Sequence, residues 1–243
     1  MLLPLHQALG PLGYRHGAPA GPHPRWANLV AGWKLDEPSD GSVSVPRADV
    51  LGVYGLTDNN TVASVAGVTG SAANIVGASN ESLTINTTAF RMAGDLTLAL
   101  WVQSKGTPGG DAMVGGYRDA AVTDDFQIFQ GAFTNNFFAR VRDSVEAEVK
   151  QTFRTVTQDA WHLLIAVYTA SDRVVRLSSD GDAFTASTAL TTGLRQLGTT
   201  WRIGHPGAGQ AIYVDDTYLF SEAKDAAWIT DMYNGGAGRA YPN

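Results

Sequence analysis

Close to the C-terminus, the segment "WRIGHPGAGQAIYVDDTYLFSEAKDAAWITDMYNGG" runs from Trp201 to Gly236. It predicts an apolar strand followed by a helix. Two aspartates, Asp215 and Asp216, interrupt the apolar strand. Neighbouring side chains in a strand point to opposite faces, so one of the two carboxylates is expected to face inward. A buried carboxylate is costly unless it is hydrogen-bonded, paired or bound to a metal.

The helix after this strand has a start and a stop signal. Ser221 is the predicted N-cap, "EAKDAAWITDMY" follows it, and Gly235 is the predicted stop. Its large apolar side chains, Trp228, Met232 and Tyr233, are expected to pack on a sheet rather than to bind a ligand.

Working outward from this stretch, strand and turn signals follow one another from Leu29 onward. "LTLALWVQ" alternates from Leu96, and "DRVVRLSSDGDAF" predicts a hairpin with Asp180-Gly181 in its turn. "FQIFQ", "EVKQTF" and "WHLLIAVY" predict further strands. Roughly a dozen short strands and one helix favour a single antiparallel sandwich.

Composition excludes several classes of protein. The chain has 243 residues, which suits one large β domain, and it has no cysteine, which excludes thiol catalysis and thiolate metal sites. Its apolar stretches are too short to span a bilayer, so no membrane partner is predicted.

The first 25 residues differ from the rest, because prolines and glycines alternate too closely for a helix or a strand. We expect an extended N-terminal arm over 1–25 and a β domain over 26–243. Residues 1–35 carry three cations and no acid within a chain of net charge −6, which is typical of an interaction tail but too weak for nucleic acid. The residues predicted to dock the arm on a partner are Leu2, Leu3, Leu5, Leu9, Leu12, Tyr14, Arg15 and Arg25.

The order of the strand segments resembles the laminin-G-like, or concanavalin A-like, jelly roll of lectins and glucanases. The segments that carry the resemblance are "LVAGWKLDE" (29–37), "GVTGSAANIVGASNESLTI" (67–85), "DLTLALWVQSK" (95–105) and the closing block quoted above. The resemblance implies an all-β, antiparallel two-sheet jelly-roll sandwich with one short C-terminal helix. It also implies that Asp215 and Asp216 are scaffold, the inward acid accepting hydrogen bonds from loop amides and an arginine.

Catalysis is not predicted. A glycosidase needs two carboxylates across a cleft. The closest candidate, "DSVEAEVK" (143–150), places Glu146 and Glu148 on one strand face but lacks the central aspartate and the third acid of the enzymes with this fold. No cofactor is predicted, with calcium as the alternative, because carboxylates from distant loops can form a calcium site. The candidate ligands are Asp124, Asp125, Asp215 and Asp216, with Asp36 and Glu37 as further acids.

Two functions compete at this point. The first is a structural protein of a virus particle, such as a decoration or tail-associated protein of a tailed phage, whose arm grips other virion proteins or copies of itself and whose location is the virion. The second is a carbohydrate-binding adhesion module, with an extracellular location as the alternative. Its predicted sugar-binding residues are Trp101, Tyr117, Tyr168, Asn135 and Asn136, because aromatic platforms with a few polar groups suit sugars.

Overall fold

The computed structural model describes residues 24–37, 46–117, 125–145, 149–205 and 210–242. Within these ranges the chain forms two antiparallel sheets and one short α-helix, which confirms the predicted all-β sandwich. None of the described helices is long and apolar enough to cross a membrane.

In chain order the strands are β1 (Leu29–Trp33), β2 (Thr57–Asn59), β3 (Ala63–Ala66), β4 (Ser71–Val76), β5 (Ser82–Asn86), β6 (Leu96–Ser104), β7 (Ala112–Tyr117), β8 (Phe126–Gln130), β9 (Asn136–Arg142), β10 (Val149–Thr155), β11 (Trp161–Thr169), β12 (Val174–Ser179), β13 (Thr185–Ala186), β14 (Thr200–His205) and β15 (Ala211–Phe220).

The strands divide into a larger and a smaller sheet. The eight-stranded sheet has the order β13-β12-β11-β6-β15-β4-β3, and β1 also pairs with β15. The seven-stranded sheet has the order β10-β9-β8-β7-β14-β5-β2. The Asp180-Gly181 turn is confirmed, since both residues have positive φ and the Asp182 amide donates to the Ser179 carbonyl over 2.9 Å.

The main hydrophobic core lies between the two sheets. Alternate residues of the central strands enter it, among them Leu98 and Leu100 of β6 and Phe137 and Ala139 of β9. A second apolar cluster lies on the opposite face of the eight-stranded sheet, where the C-terminal helix α1 (Ala226–Tyr233) packs. The outer face of that sheet is therefore covered, whereas α1 leaves the outer face of the seven-stranded sheet open.

The helix begins later than predicted. Asp225, rather than Ser221, is the N-cap, and its carboxylate accepts from the Trp228 amide over 2.8 Å. The left-handed conformation that ends the helix is taken by Asn234, one residue before the predicted Gly235. Aspartate is as good an N-cap as serine, so the cap nearest the apolar turn is the one used.

The helix packs on the sheet as predicted. Met232 is buried and the Tyr233 ring stacks on Trp101 with centroids 5.9 Å apart. Trp228 packs against Phe220 with centroids 5.1 Å apart.

Arg25, which was predicted to belong to the arm, contacts the C-terminal helix of the domain. A short 3₁₀ turn spans Pro24–Trp26, and Arg25 forms an ion pair with Asp231 of α1. Its carbonyl accepts from the Trp228 ring N–H over 2.9 Å. The other seven predicted docking residues, and the arm before Pro24, lie outside the described residues.

Trp26 anchors the N-terminal end of the described chain. Its ring is 3% exposed and contacts the rings of Tyr218 at 4.8 Å and Tyr241 at 5.2 Å. It therefore joins the first turn of the domain to β15 and to the C-terminal tail.

We expect Trp26→Ala to lower the free energy of unfolding by about 3–5 kcal/mol, because it empties a buried aromatic site. Urea unfolding followed by circular dichroism measures the change. Val53→Ala is the control, since Val53 is 65% exposed and its truncation should cost less than about 0.5 kcal/mol. Equal effects of the two changes would contradict the anchoring role.

Candidate functional site

The two aspartates of the segment 201–236 are both buried, at 0% and 1% exposure. Asp215 accepts from the backbone amides of Val68 at 2.7 Å and Thr69 at 3.2 Å. Asp216 accepts from the Tyr218 hydroxyl at 2.8 Å and from the Thr69 side chain. The pair thus holds the loop before β4 against β15.

Both carboxylates are buried because both faces of the larger sheet are covered at this point, and a β-bulge determines the face on which they lie. Asp216 has a positive φ of 42°, and the register of β15 against β6 shifts between Asp215 and Tyr218. Asp215 pairs with Trp101, whose ring lies in the cluster beneath α1, so the acids face the helix side of the sheet. Strict alternation, on which the prediction of one inward acid depended, does not hold across a bulge.

Burial perturbs both acids. It raises the pKa of Asp215 above the usual aspartate range, and the neighbouring carboxylate of Asp216 raises it further. Burial also raises the pKa of Asp216, although the hydroxyls of Thr69 and Tyr218 stabilise its charged form. The pair therefore holds a proton at higher pH than two exposed aspartates would.

The scaffold interpretation of the pair fits these contacts, with one correction. The hydrogen bonds come from loop amides, a threonine and a tyrosine, not from the expected arginine. Tyr218 extends the network, because its oxygen also accepts from the Tyr241 amide over 2.9 Å. The pair therefore fixes the C-terminal tail as well as the loop.

Asp125 is also a scaffold residue. Its carboxylate lies 3.3 Å from the Arg195 guanidinium, accepts from the Leu197 amide at 2.8 Å, and accepts from the Gly198 amide. Burial raises the pKa of Asp125, while these amides and the arginine oppose the rise. These contacts leave it poorly placed as a calcium ligand.

The calcium alternative lacks a ligand set in the part of the chain that the structure describes, where no three acidic or histidine side chains are grouped closely enough to hold a metal ion. The described candidates also serve different elements, Asp125 the loop before β14 and the Asp215–Asp216 pair the loop before β4. Asp124 lies outside the described residues.

The three predicted aromatic sugar-binding residues are buried, which contradicts a platform built from them. Trp101, Tyr117 and Tyr168 are 1%, 2% and 0% exposed. Trp101 lies under α1, whereas Tyr117 and Tyr168 belong to the core between the sheets. A sugar ring cannot stack on any of them without removing other parts of the protein.

A different set of aromatic rings lines an open groove on the outer face of the seven-stranded sheet. The cavity has a volume of about 310 Å³, within the range of small-molecule sites. We call it the aromatic groove and define it by Asp111, Phe129, Gly131, Ala132, Thr134, Phe138, Arg140 and Gln151.

Strand register builds the wall of the aromatic groove. Phe129, Phe138 and Phe153 are directly opposite one another on β8, β9 and β10. The first two rings stack with centroids 5.0 Å apart, and the last two are 5.5 Å apart. Phe153 is 50% exposed, so the row of rings continues from the groove to solvent.

Arg140 supplies the polar side of the aromatic groove. Its guanidinium lies 3.9 Å from the centre of the Phe129 ring and 3.2 Å from the Asp111 carboxylate. Its Nε donates to the Gln151 amide oxygen over 3.3 Å. One apolar wall thus meets a cation, an anion and an amide.

The loop between β8 and β9 closes one side of the groove. A side chain at Gly131 would place its Cβ 2.6 Å from the Phe138 ring, so glycine is needed for that ring to lie where it does. The Ala132 amide donates to Asp111 over 3.2 Å, which ties the loop to the carboxylate.

The predicted amides lie beside this loop. Asn136 begins β9, two residues before Phe138 and on the same face, and its side-chain oxygen accepts from Thr155 over 2.6 Å. The side-chain oxygen of Asn135 accepts from Gln158 over 2.7 Å. Asn136 is thus next to the aromatic groove, but neither residue lines it.

The His162 side chain links two turns through hydrogen bonds from its two ring nitrogens. Its Nδ1 lies 2.6 Å from Asp180, and its Nε2 lies 2.9 Å from the hydroxyl and 3.2 Å from the carbonyl of Thr157. Asp180 also accepts from the Leu163 amide over 2.9 Å. This hydrogen-bond network joins the start of β11 to the turn after β12. The two acids that were considered for catalysis, Glu146 and Glu148, lie outside the described residues.

No family model and no curated protein sequence matches the chain. Solved structures do share its fold. The binding domain of Paraclostridial Mosquitocidal Protein 1 superposes with a TM-score of 0.69 at 14% identity, covering 87% of this chain and 53% of that one. The receptor-binding domain of botulinum neurotoxin type G gives 0.64 at 12%, covering 86% and 51%.

A sialidase of Trypanosoma rangeli, solved in complex with a difluoro derivative of a keto-deoxy-nononic acid, gives a TM-score of 0.62 at 15% identity, covering 87% of this chain and 33% of that one. The chain therefore spans about half or less of each matched structure. Identities this low establish a shared jelly-roll fold alone, and membership of the laminin-G-like family stays a prediction.

The Asp215–Asp216 pair predicts a pH dependence of stability. Because the folded state raises both pKa values, the folded pair binds more protons than the unfolded chain above about pH 4. Its contribution to stability is present in full below that pH and is lost as the pH rises through the folded pKa values. We expect the free energy of unfolding to fall less steeply from pH 5 to 8 in Asp215→Asn than in wild type.

Urea unfolding at both pH values measures this difference. Asp182→Asn, a change of an exposed aspartate, should keep the wild-type slope. A wild-type slope in Asp215→Asn would show that the pair does not hold the proton.

Proposed function

We propose that this domain is a non-catalytic carbohydrate-binding module and that the aromatic groove is its sugar site. The observation that carries the proposal is the pair of rings that reach solvent, Phe138 and the half-exposed Phe153, beside the polar cluster of Asp111, Arg140 and Gln151. The Phe129 ring, which is 3% exposed, packs behind Phe138. Sugars present C–H faces that pack on aromatic rings and hydroxyls that bond to carboxylates, amides and guanidinium groups.

The shape of the fold supports this choice of face. Helix α1 and the C-terminal tail cover the outer face of the eight-stranded sheet. The groove lies on the opposite outer face, on regular strands that hold its side chains in a fixed register. Sites on strands are more precisely ordered than sites on loops.

The structural neighbours add support of a coarser kind. Two of them are named as binding or receptor-binding domains, and the third was solved with a sugar-acid derivative. A binding role for this jelly roll is compatible with these names. The identity of its ligand, however, has to be inferred from the residues of its own groove.

We expect Phe138→Ala and Phe153→Ala each to weaken glycan binding by about tenfold, which corresponds to about 1.4 kcal/mol. Glycan-array screening identifies the ligand, and calorimetry with that ligand measures the affinity. The matched control is Leu197→Ala, because Leu197 and Phe153 are both 50% exposed. Phe153 packs against the groove residue Phe138, whereas Leu197 belongs to the loop that Asp125 holds. Binding that survives both phenylalanine changes would place the sugar site elsewhere.

A structural role in a virus particle is the second candidate function. It rests on the Pro/Gly-rich sequence before Pro24 and on the anchor at Trp26, which gives that sequence a fixed point of departure from the domain. Such a segment, whether it binds other virion proteins or a second copy of this chain, would make the domain a decoration or tail-associated module located in the virion.

Deleting residues 1–23 tests this role while it keeps the Arg25 and Trp26 contacts. We expect the truncated chain to melt at the temperature of the full chain but to lose co-sedimentation with phage particles. The proposed docking segment would then be missing, and its prolines are what would reduce the entropy lost on docking. Normal co-sedimentation of the truncated chain would exclude docking through the arm.

A further inference from the structure

Resting on the sugar site proposed above, we infer that the aromatic groove selects uncharged pyranosides over sugars that carry a carboxylate. The inference comes from how the charges of the groove are arranged. Arg140 is the cation of the groove and Asp111 is its anion. The two lie 3.2 Å apart, so an incoming ligand meets a cation that already has an anion beside it.

The Arg140 guanidinium is already engaged on three sides. It covers the Phe129 ring, bonds to Asp111 and donates to Gln151. A ligand carboxylate would have to displace Asp111 from this cation. The displaced aspartate would then lie beside a second anion, which opposes binding.

Asp111 is held in place from its other side. One of its oxygens accepts from the Ala132 amide over 3.2 Å, while the other bonds to Arg140. Its side chain is still 50% exposed, so free lone pairs of the carboxylate reach the groove. A pair of neighbouring hydroxyls can donate to it without adding charge.

The Gln151 amide completes the polar set. Its oxygen accepts from Arg140, so its NH2 group supplies the donors of this residue. Carboxylate, guanidinium and amide therefore offer acceptors and donors for hydroxyls, while the phenylalanine row offers an apolar face for the ring. This combination matches an uncharged pyranose.

The test uses a glycan array that pairs neutral glycans with their sialylated or uronate-containing counterparts, such as lactose with sialyllactose. We expect the wild-type chain to prefer the neutral member by about tenfold, with an affinity that changes less than about twofold between 0.05 and 0.5 M salt, because no net charge is neutralised. Asp111→Asn should remove the preference by improving the anionic member.

Asp159→Asn is the matched control, since Asp159 is also an exposed aspartate paired with a cation, Lys105, but lies outside the groove. It should keep the wild-type preference. Tighter binding of the anionic member by wild type, weakened by salt and by Phe138→Ala, would overturn the inference and leave the sugar site standing. Binding to neither member, or binding that ignores Phe138→Ala and Phe153→Ala, would overturn the sugar site itself.

Discussion

The bulge in β15 is the constraint on which the rest of the sandwich depends. β15 pairs with β1, β4 and β6, so its register sets the centre of the larger sheet. Val214 and Leu219 both enter the core, although they are five residues apart and a regular strand would place them on opposite faces. The extra residue in the bulge restores the match. The left-handed conformation of Asp216 is stabilised by the hydrogen bonds of its own carboxylate to Thr69 and Tyr218.

The same bulge decides which face of the protein is open to a ligand. It turns Tyr218 toward the helix side, where its ring packs on Trp26 and its hydroxyl accepts from the amide of Tyr241. The N-terminal turn, α1 and the C-terminal tail are thereby gathered over the eight-stranded sheet. Burying two carboxylates is costly, but the network they form closes this face, and α1 leaves the outer face of the seven-stranded sheet uncovered.

The fold could be predicted from the sequence further than the site could. Alternation along β6 and the Asp180-Gly181 turn indicate strands and a hairpin without any tertiary knowledge. Alternation does not show what covers each face of a sheet. Trp101 was therefore predicted to lie on an exposed sugar-binding face, although its ring is buried. The pairing of Phe129 with Phe138 was also accessible in principle, because five residues separate β8 from β9. The bulge at Asp216 gave no signal that strand periodicity can detect.

The aromatic groove shows why two proteins of the same fold can have different binding sites. Its wall depends on a hairpin register that brings Phe138 between two other rings, and on Gly131, where any Cβ would meet the Phe138 ring at 2.6 Å. Its charge depends on Asp111, which comes from the loop before β7 rather than from the strands that carry the rings. A jelly roll can keep every strand while it loses this carboxylate, and Arg140 would then lack the ion pair that it forms with Asp111. The acidic side of the groove therefore depends on one loop residue, whereas its aromatic wall depends on the register of the sheet.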